Sequence, residues 1–184
     1  MKRILLIPVF AIAMIAANAV NSLAQGTVMV GDAAMYPQKN IVENAVNSKD
    51  HTTLVAAVKA AGLVPTLQSD GPFTVFAPTN EAFAALPAGT VDNLLKPENK
   101  ATLTSVLTYH VVAGKMDSKD LMEKIKAGGG MAKLTTVQGE ELTIMKKGKH
   151  LEVKDSKGGV AMVTIKDVYQ KNGVIHVIDK VLMP

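Results

Sequence analysis

The chain has 184 residues, which is enough for one domain of ordinary size with its own hydrophobic core. It contains no cysteine, and this excludes disulfide bonds, thiolate metal sites and catalysis by a cysteine nucleophile. The formal charge is +4, the lysines are dispersed among acidic residues, and aromatic residues make up only 4%. Because nucleic-acid-binding surfaces need a basic patch or base-stacking rings, we expect no nucleic-acid partner.

Residues 1–24 have the pattern of a signal peptide. Met1-Lys2-Arg3 is positively charged, the run from Ile4 to Ala17 is apolar, and Ser22-Leu23-Ala24 provides the small residues that precede cleavage. An uncleaved membrane anchor is the alternative, but the apolar run is short for a membrane span. We therefore expect a secreted or periplasmic protein with no stable membrane anchor after cleavage.

The segment after the cleavage site predicts a flexible lead-in followed by two helices. Residues 25–38 are mixed in character and are expected to be loosely held. Apolar residues then recur at helical spacing, first over 41–46 and again over 54–61. Asp50 is the expected N-cap of the second helix, and Gly62 is its expected C-terminal cap.

The segment from Gly71 to Phe83 combines a buried strand with the start of a helix. Residues 73–77 are rich in aromatic and β-branched side chains, which favour a strand. Pro78 has no N–H to donate to a sheet, so the strand is expected to stop there. Thr79 or Asn80 can then cap the following helix.

The middle of the chain predicts three further helices. A short one covers residues 90–95, and a longer one covers 99–110 with His110 on its apolar face. Ser118 is the expected cap of the third helix, which ends at the triple glycine of residues 128–130.

The last third of the chain is rich in predicted strands, which cover residues 134–137, 141–145, 150–154 and 160–169. Asn172-Gly173 between apolar runs predicts a hairpin into a final strand. Lys146-Lys147-Gly148-Lys149 falls in a predicted turn, and these lysines are interpreted as solvated rather than phosphate-binding. Helices in the first half and strands in the second predict an α+β domain over residues 39–183.

No motif for catalysis or metal binding is present. The sequence has no Gly-x-Ser-x-Gly elbow, and its histidines are scattered singly at positions 51, 110, 150 and 176. Glu140 and Glu141 are adjacent, so on a strand they would point to opposite faces. We expect a protein that is not an enzyme and has neither a metal site nor a cofactor.

His110 and His176 both lie among apolar residues. A buried histidine can act as a pH switch, but a core histidine with satisfied ring nitrogens is the favoured interpretation. An unsatisfied ring would cost about 1–3 kcal/mol. One hypothesis is that His110 pairs with a polar group of the Thr79-Asn80 turn, and this pairing would hold a helix against the strand–helix corner.

Three segments together resemble the fasciclin-like domain: Gly71 to Phe83, Tyr109-His110, and Asn172 to Leu182. The positions that carry the resemblance are Phe73, Phe76, Pro78, Thr79, Asn80, Phe83, Tyr109, His110 and His176. The resemblance implies a β-sandwich or wedge with several helices packed along it. It also implies an extracellular role in adhesion or ligand binding.

The leading hypothesis is an exported, non-enzymatic module that mediates adhesion by binding a protein or polysaccharide through sheet edges or loops. In animal members of the family an Asp-Ile pair is implicated in integrin recognition. The matching residues here, Asp167 and Val168, are an interaction candidate, and an ordinary strand end with one exposed acid is the alternative. A carrier of a small apolar ligand, such as a carotenoid or lipid, is the second hypothesis. Its pocket would be lined by methionines at positions 116, 122, 131, 145 and 162, which otherwise serve as core filler.

Overall fold

The structure, a computed structural model, describes residues 26–184, so the predicted signal peptide lies outside the described residues. The helices of this range are α1 (Ile41–Ala45), α2 (Thr52–Ala61), α3 (Val64–Gln68), α4 (Asn80–Ala84), α5 (Thr90–Leu94), α6 (Lys100–Tyr109) and α7 (Ser118–Ala127). The strands are β1 (Val28–Val30), β2 (Ala33–Met35), β3 (Phe73–Pro78), β4 (Val111–Ala113), β5 (Met131–Thr135), β6 (Glu141–Lys147), β7 (His150–Lys154), β8 (Val160–Gln170) and β9 (Gly173–Ile178). No helix between residues 26 and 184 is long and apolar enough to cross a membrane.

A seven-stranded sheet organises the domain in the order β4-β3-β9-β8-β7-β6-β5. β3 runs parallel to β9, and every other neighbouring pair is antiparallel. The two edge strands approach each other, because a single bridge joins Val112 to Thr136 and the amide of Val137 donates to the carbonyl of Val111 at 2.7 Å. The sheet is therefore curled into a wedge, and the predicted α+β class is confirmed.

The concave side of the sheet encloses what we call the inner core, which α7 covers. Its residues are Phe76, Tyr109, Val112, Leu121, Ile125, Ala132, Leu134, Leu142, Ile144, Leu151, Val153, Ala161, Val163, Ile178 and Leu182. All seven strands contribute to it. In β5 and β7 only alternate residues are buried, as expected for strands with one solvated face.

The other face of β3, β4, β8 and β9 packs against the helices and forms what we call the outer core. Its residues are Val30, Met35, Ile41, Val42, Leu54, Ala57, Val58, Ala61, Leu67, Val75, Ala77, Ala82, Phe83, Leu103, Val106, Leu107, Val111, Val168, Ile175, Val177 and Val181. β3 and β9 are covered on both faces. Every residue of β9, and every residue of β3 except Phe73, is therefore buried.

The predicted lead-in is not loose. β1 and β2 pair as an antiparallel hairpin, and Val30 and Met35 are each only 3% exposed within the outer core. Of the apolar residues that predicted a helix over 41–46, Val46 is exposed, because α1 ends at Ala45. Asn44 is buried instead and bonds to the Gln170 side chain.

Two predicted helix caps are wrong. Asp50 lies in a 3₁₀ turn, and α2 starts only at Thr52. Asp117, rather than Ser118, caps α7, since its carboxylate accepts hydrogen bonds from the first turn while Asp120 bonds back to the cap. The predicted C-terminal cap of α2, Gly62, is confirmed by its left-handed φ of 74°.

The final hairpin forms one residue earlier than predicted. Gln170 pairs with Gly173, so the turn consists of Lys171 and Asn172. Gly173 belongs to β9, and a Cβ at this position would collide with the carbonyl oxygen of Phe73 on the neighbouring strand. A glycine is therefore required for the close approach of β9 to β3.

Candidate functional site

The strand–helix corner between β3 and α4 has the predicted form. β3 ends at Pro78, and Thr79 caps α4 by accepting a hydrogen bond from the amide of Ala82 at 3.3 Å. Phe76 is buried in the inner core and Phe83 in the outer core. The corner therefore links the two cores.

Asn80 ties this corner to the start of α2. Its Oδ1 accepts from Thr52 Oγ1 at 3.1 Å and from the amide of Thr53 at 3.0 Å. Its Nδ2 donates to the carbonyl of Lys49 at 2.7 Å. Because α2 has no N-cap side chain of its own, Asn80 satisfies an otherwise unpaired amide in its first turn.

The predicted pairing of His110 with the Thr79-Asn80 turn is wrong. His110 Nδ1 donates to the carbonyl of Val106 at 2.8 Å, and Nε2 accepts from the amide of Leu182 at 3.0 Å. The ring of His110 therefore bonds to Leu182, near the end of the chain, and not to the Thr79-Asn80 turn. Burial lowers the pKa of His110 to about 4, so the ring is neutral near pH 7.

Tyr109 and His176 are also satisfied core residues. The Tyr109 hydroxyl donates to the carbonyl of Glu141 at 3.2 Å and accepts from the amide of Ser156 at 2.9 Å. His176 Nε2 donates to the carbonyl of Met116 at 3.0 Å. The His176 ring stacks on Phe76 with ring centroids 5.7 Å apart, which brings two of the family-like positions into contact across β3 and β9.

Asp167 and Val168 do not form an exposed recognition pair. Asp167 adopts a left-handed φ of 59° at an irregular point of β8, and its carboxylate accepts hydrogen bonds from the amide and hydroxyl of Ser118 at 2.6 and 2.5 Å. Val168 is 1% exposed and belongs to the outer core. The structure thus places Asp167 where it anchors the start of α7 to the sheet.

Among residues 26–184, one serine and one histidine are in contact, Ser48 Oγ with His51 Nδ1 at 2.9 Å. A hydrolytic triad needs a third group that orients the histidine, but Nε2 of His51 has no hydrogen-bond partner among the described residues. Both side chains are also buried. Within residues 26–184 no group of three histidine, aspartate or glutamate side chains could hold a metal ion.

A cavity of about 80 Å³ lies in the outer core between the helices and β3, and we call it the His51 cavity. Its walls include Ile41, Val58, Val75 and Leu107. None of the five methionines named above lines it. Sequence reasoning treated His51 as one isolated histidine among four, and no local pattern marked it.

A second concavity, which we call the basic groove, lies between the β6–β7 hairpin, β8 and the start of α7. Lys146, Lys149, His150 and Lys166 surround a volume of about 360 Å³, and the lining contains no acidic residue. All four basic side chains are exposed. The hairpin lysines were predicted to be merely solvated, and only the fold brings Lys166 of β8 beside them.

Comparisons with known proteins agree with this architecture. The family model of the fasciclin domain matches residues 49–184. Protein sll1483 of Synechocystis sp. is 49% identical over 158 residues, covering 85% of this chain and 79% of that protein. Immunogenic protein MPB70 of Mycobacterium bovis is 39% identical over 152 residues, covering 80% of this chain and 70% of that protein. The chain therefore belongs to the fasciclin domain family.

A solved structure shows the same fold. A FAS1 domain pair from the insect cell adhesion molecule Fasciclin I matches with a TM-score of 0.71 and 19% identity. The match covers 79% of this chain and 51% of the domain pair. The predicted fasciclin-like wedge is thereby confirmed.

Proposed function

We propose that this protein is an exported, non-enzymatic interaction module that mediates adhesion by binding an acidic polysaccharide at the cell surface or in the extracellular matrix. Membership of the fasciclin domain family supports an adhesive role, and Fasciclin I, which shares the fold, is a cell adhesion molecule. Fold alone does not assign a partner. The choice of an acidic polysaccharide as the partner is based on the basic groove.

The groove offers several cations and no anion in its lining. The β6–β7 hairpin forms two ion pairs among the described residues, Lys147 with Glu152 at 3.3 Å and Glu141 with Lys133 at 2.9 Å, and none of these four residues lines the groove. Three lysines at the rim contribute a positive potential, which the single Asp167 carboxylate bonded to Ser118 of the groove lining offsets only in part. The remaining positive potential attracts a polyanion. Met122 and Leu151 provide an apolar base.

An acidic polysaccharide fits this groove better than a sheet-adding peptide does. The edges of the main sheet approach each other through the Val112–Thr136 bridge, so strand addition at that point is obstructed. Exposed lysines on a hairpin are flexible point charges and can follow the repeated carboxylates or sulfates of a sugar chain. The interaction is expected to weaken with salt.

Binding to immobilised alginate, a polyuronate, tests the proposal, with neutral dextran as the reference. We expect retention on alginate that falls between 50 and about 500 mM NaCl, and no retention on dextran. The variant with Lys146, Lys149 and Lys166 all changed to Gln should lose at least about tenfold in affinity. The matched control changes Lys96, Lys126 and Lys157 to Gln and so removes the same charge. These three lysines lie outside the groove.

If both triple variants lost the same affinity for alginate, binding would depend only on the net charge of the protein. That result would overturn the assignment of the binding site to the basic groove. Retention of the protein by an envelope protein through the same lysines, with no binding to alginate or other acidic polysaccharides, would replace the polysaccharide by a protein partner. The carrier hypothesis gains little support, since the His51 cavity of about 80 Å³ is smaller than the cavity of about 150 Å³ that admits benzene. A carotenoid or lipid would need the outer core to open.

A further inference from the structure

Asn172 and Gly173 form an asparagine–glycine pair where the final hairpin enters β9. Asparagine deamidates most readily in such a pair, because glycine has no side chain to shield its backbone nitrogen from the preceding side chain. In this fold Asn172 is only 5% exposed, and Gly173 pairs with Gln170 across the hairpin. A chemically reactive pair thus lies in a buried, hydrogen-bonded place.

The reaction at this pair needs only water. The backbone nitrogen of Gly173 loses its proton and forms a bond to Cγ of Asn172, the Cγ–Nδ2 bond breaks, and Nδ2 takes up a proton and leaves as ammonia. Water then opens the cyclic succinimide at either of its carbonyl carbons. The product is aspartate, or isoaspartate, in which the main chain passes through the former side chain and is longer by a methylene group.

The native contacts hold the Asn172 side chain away from this reaction. Its Nδ2 donates to the carbonyls of Leu67 and Ser69, both at 2.8 Å, and its Oδ1 accepts from the amide of Ile41 at 3.0 Å. Attack requires Cγ to turn toward the nitrogen of Gly173, and this rotation breaks the three hydrogen bonds. Deamidation at Asn172 therefore needs at least a local opening of the fold.

Neither product fits the native site. The carboxylate of an aspartate has only acceptor oxygens, so it cannot donate to the carbonyls of Leu67 and Ser69, and these buried groups lose their partner. Isoaspartate lengthens the main chain directly before Gly173, where even a Cβ would lie 2.1 Å from the carbonyl oxygen of Phe73. The longer main chain therefore disturbs the register between β9 and β3.

We propose that Asn172 is a deamidation site that the native fold keeps closed and that unfolding opens. A chain that stays unfolded is modified at Asn172 and then no longer regains a stable fold. Asn172 does not line the basic groove, so this site does not depend on the proposed binding of polysaccharide.

Incubation of the unaltered chain in mildly alkaline buffer, with and without a denaturing concentration of urea, tests whether the fold closes the site. Peptide mass spectrometry measures the conversion of Asn172 and of Asn47, an exposed internal control that precedes the bulkier Ser48. We expect Asn172 to react faster than Asn47 in urea, and at least about tenfold more slowly in the native protein than in urea. Equal rates at Asn172 with and without urea, or no conversion in urea, would overturn the proposal.

Refolding after this incubation tests the loss of the fold. The chains are returned to the highest urea concentration at which the unmodified protein is still native, and size-exclusion chromatography separates compact from expanded molecules. We expect modified Asn172 to be depleted from the compact fraction by at least about tenfold, because its buried partners are left unpaired. Modified Asn47 should occur in equal proportion in both fractions. An equal distribution of modified Asn172 would contradict the proposal.

Discussion

The inner and outer cores of this domain differ in how completely their residues are buried. Eight residues of the inner core have no exposed surface, whereas no residue of the outer core is completely buried. The inner core includes Tyr109, whose buried hydroxyl is fully bonded, while the outer core contains the His51 cavity and an unpaired ring nitrogen. The inner core is thus closely packed, whereas the helical side is packed less densely.

Truncation of a completely buried residue of the inner core is expected to have the largest effect, and a matched truncation in the outer core a smaller one. Ile144 has no exposed surface in the inner core, so Ile144→Ala should lower the free energy of unfolding by about 4 kcal/mol. Ile41 lines the cavity and already lacks neighbours on one side, so Ile41→Ala should cost only about 2 kcal/mol. Urea denaturation of both variants measures this, and equal losses would remove the distinction between the cores.

The pH dependence of stability is expected to reflect His110, which lines the cavity and bonds to Leu182 of the inner core. Its folded-state pKa of about 4 lies below the unfolded value of 6.5, so the unfolded chain binds a proton first as the pH falls. Stability is complete above about pH 6.5 and declines toward pH 4, by about 3 kcal/mol from this residue. Burial lowers the pKa of His51 and His176 as well, which adds to the slope in the same direction.

Equilibrium unfolding between pH 4 and 7 checks this slope. Substitution His110→Asn should flatten it, whereas His150→Asn, at an exposed position, should leave it unchanged. A wild-type stability that stays constant from pH 7 to 4 would show that these rings are not held neutral by burial.

Asn172 connects the final hairpin to the helical side and is expected to have the next largest effect. Its Nδ2 donates to the carbonyls of Leu67 and Ser69, both at 2.8 Å, and its Oδ1 accepts from the amide of Ile41 at 3.0 Å. Substitution Asn172→Ala leaves these buried groups unpaired and should cost about 2–3 kcal/mol. The control Asn47→Ala, at an exposed position, should change thermal stability by less than about 0.5 kcal/mol.

The smallest expected effect concerns Asp167, whose carboxylate holds the start of α7. Substitution Asp167→Asn should cost about 1–2 kcal/mol and should not weaken binding to alginate, because it removes a negative charge beside the groove. Ser118→Ala should reproduce about half of that loss. If Asp167→Asn instead abolished adhesion at unchanged melting temperature, Asp167 would be a contact with the partner after all.

Much of the fold could be predicted because the relevant signals are local. The aromatic and β-branched side chains of residues 73–77 indicated a buried strand, which is β3, and the strand predicted over residues 150–154 is β7. The capping by Thr79 and Gly62 depends on neighbouring residues and was also predicted.

The features that could not be predicted are contacts between residues that lie far apart along the chain. His110 meets an amide 72 residues away, and Asn172 meets one 131 residues away. The unpaired nitrogen of His51 and the grouping of Lys166 with the hairpin lysines arise only after packing. Periodicity and propensity contain no information about such pairs.

Diffraction from a crystal held under xenon pressure tests the contrast between the two cores most directly. Xenon enters preformed apolar cavities, so we predict a xenon atom in the outer core beside His51, Ile41 and Val58, and none among the inner-core residues. An empty outer core, or xenon bound between β6 and α7 in the inner core, would contradict the account.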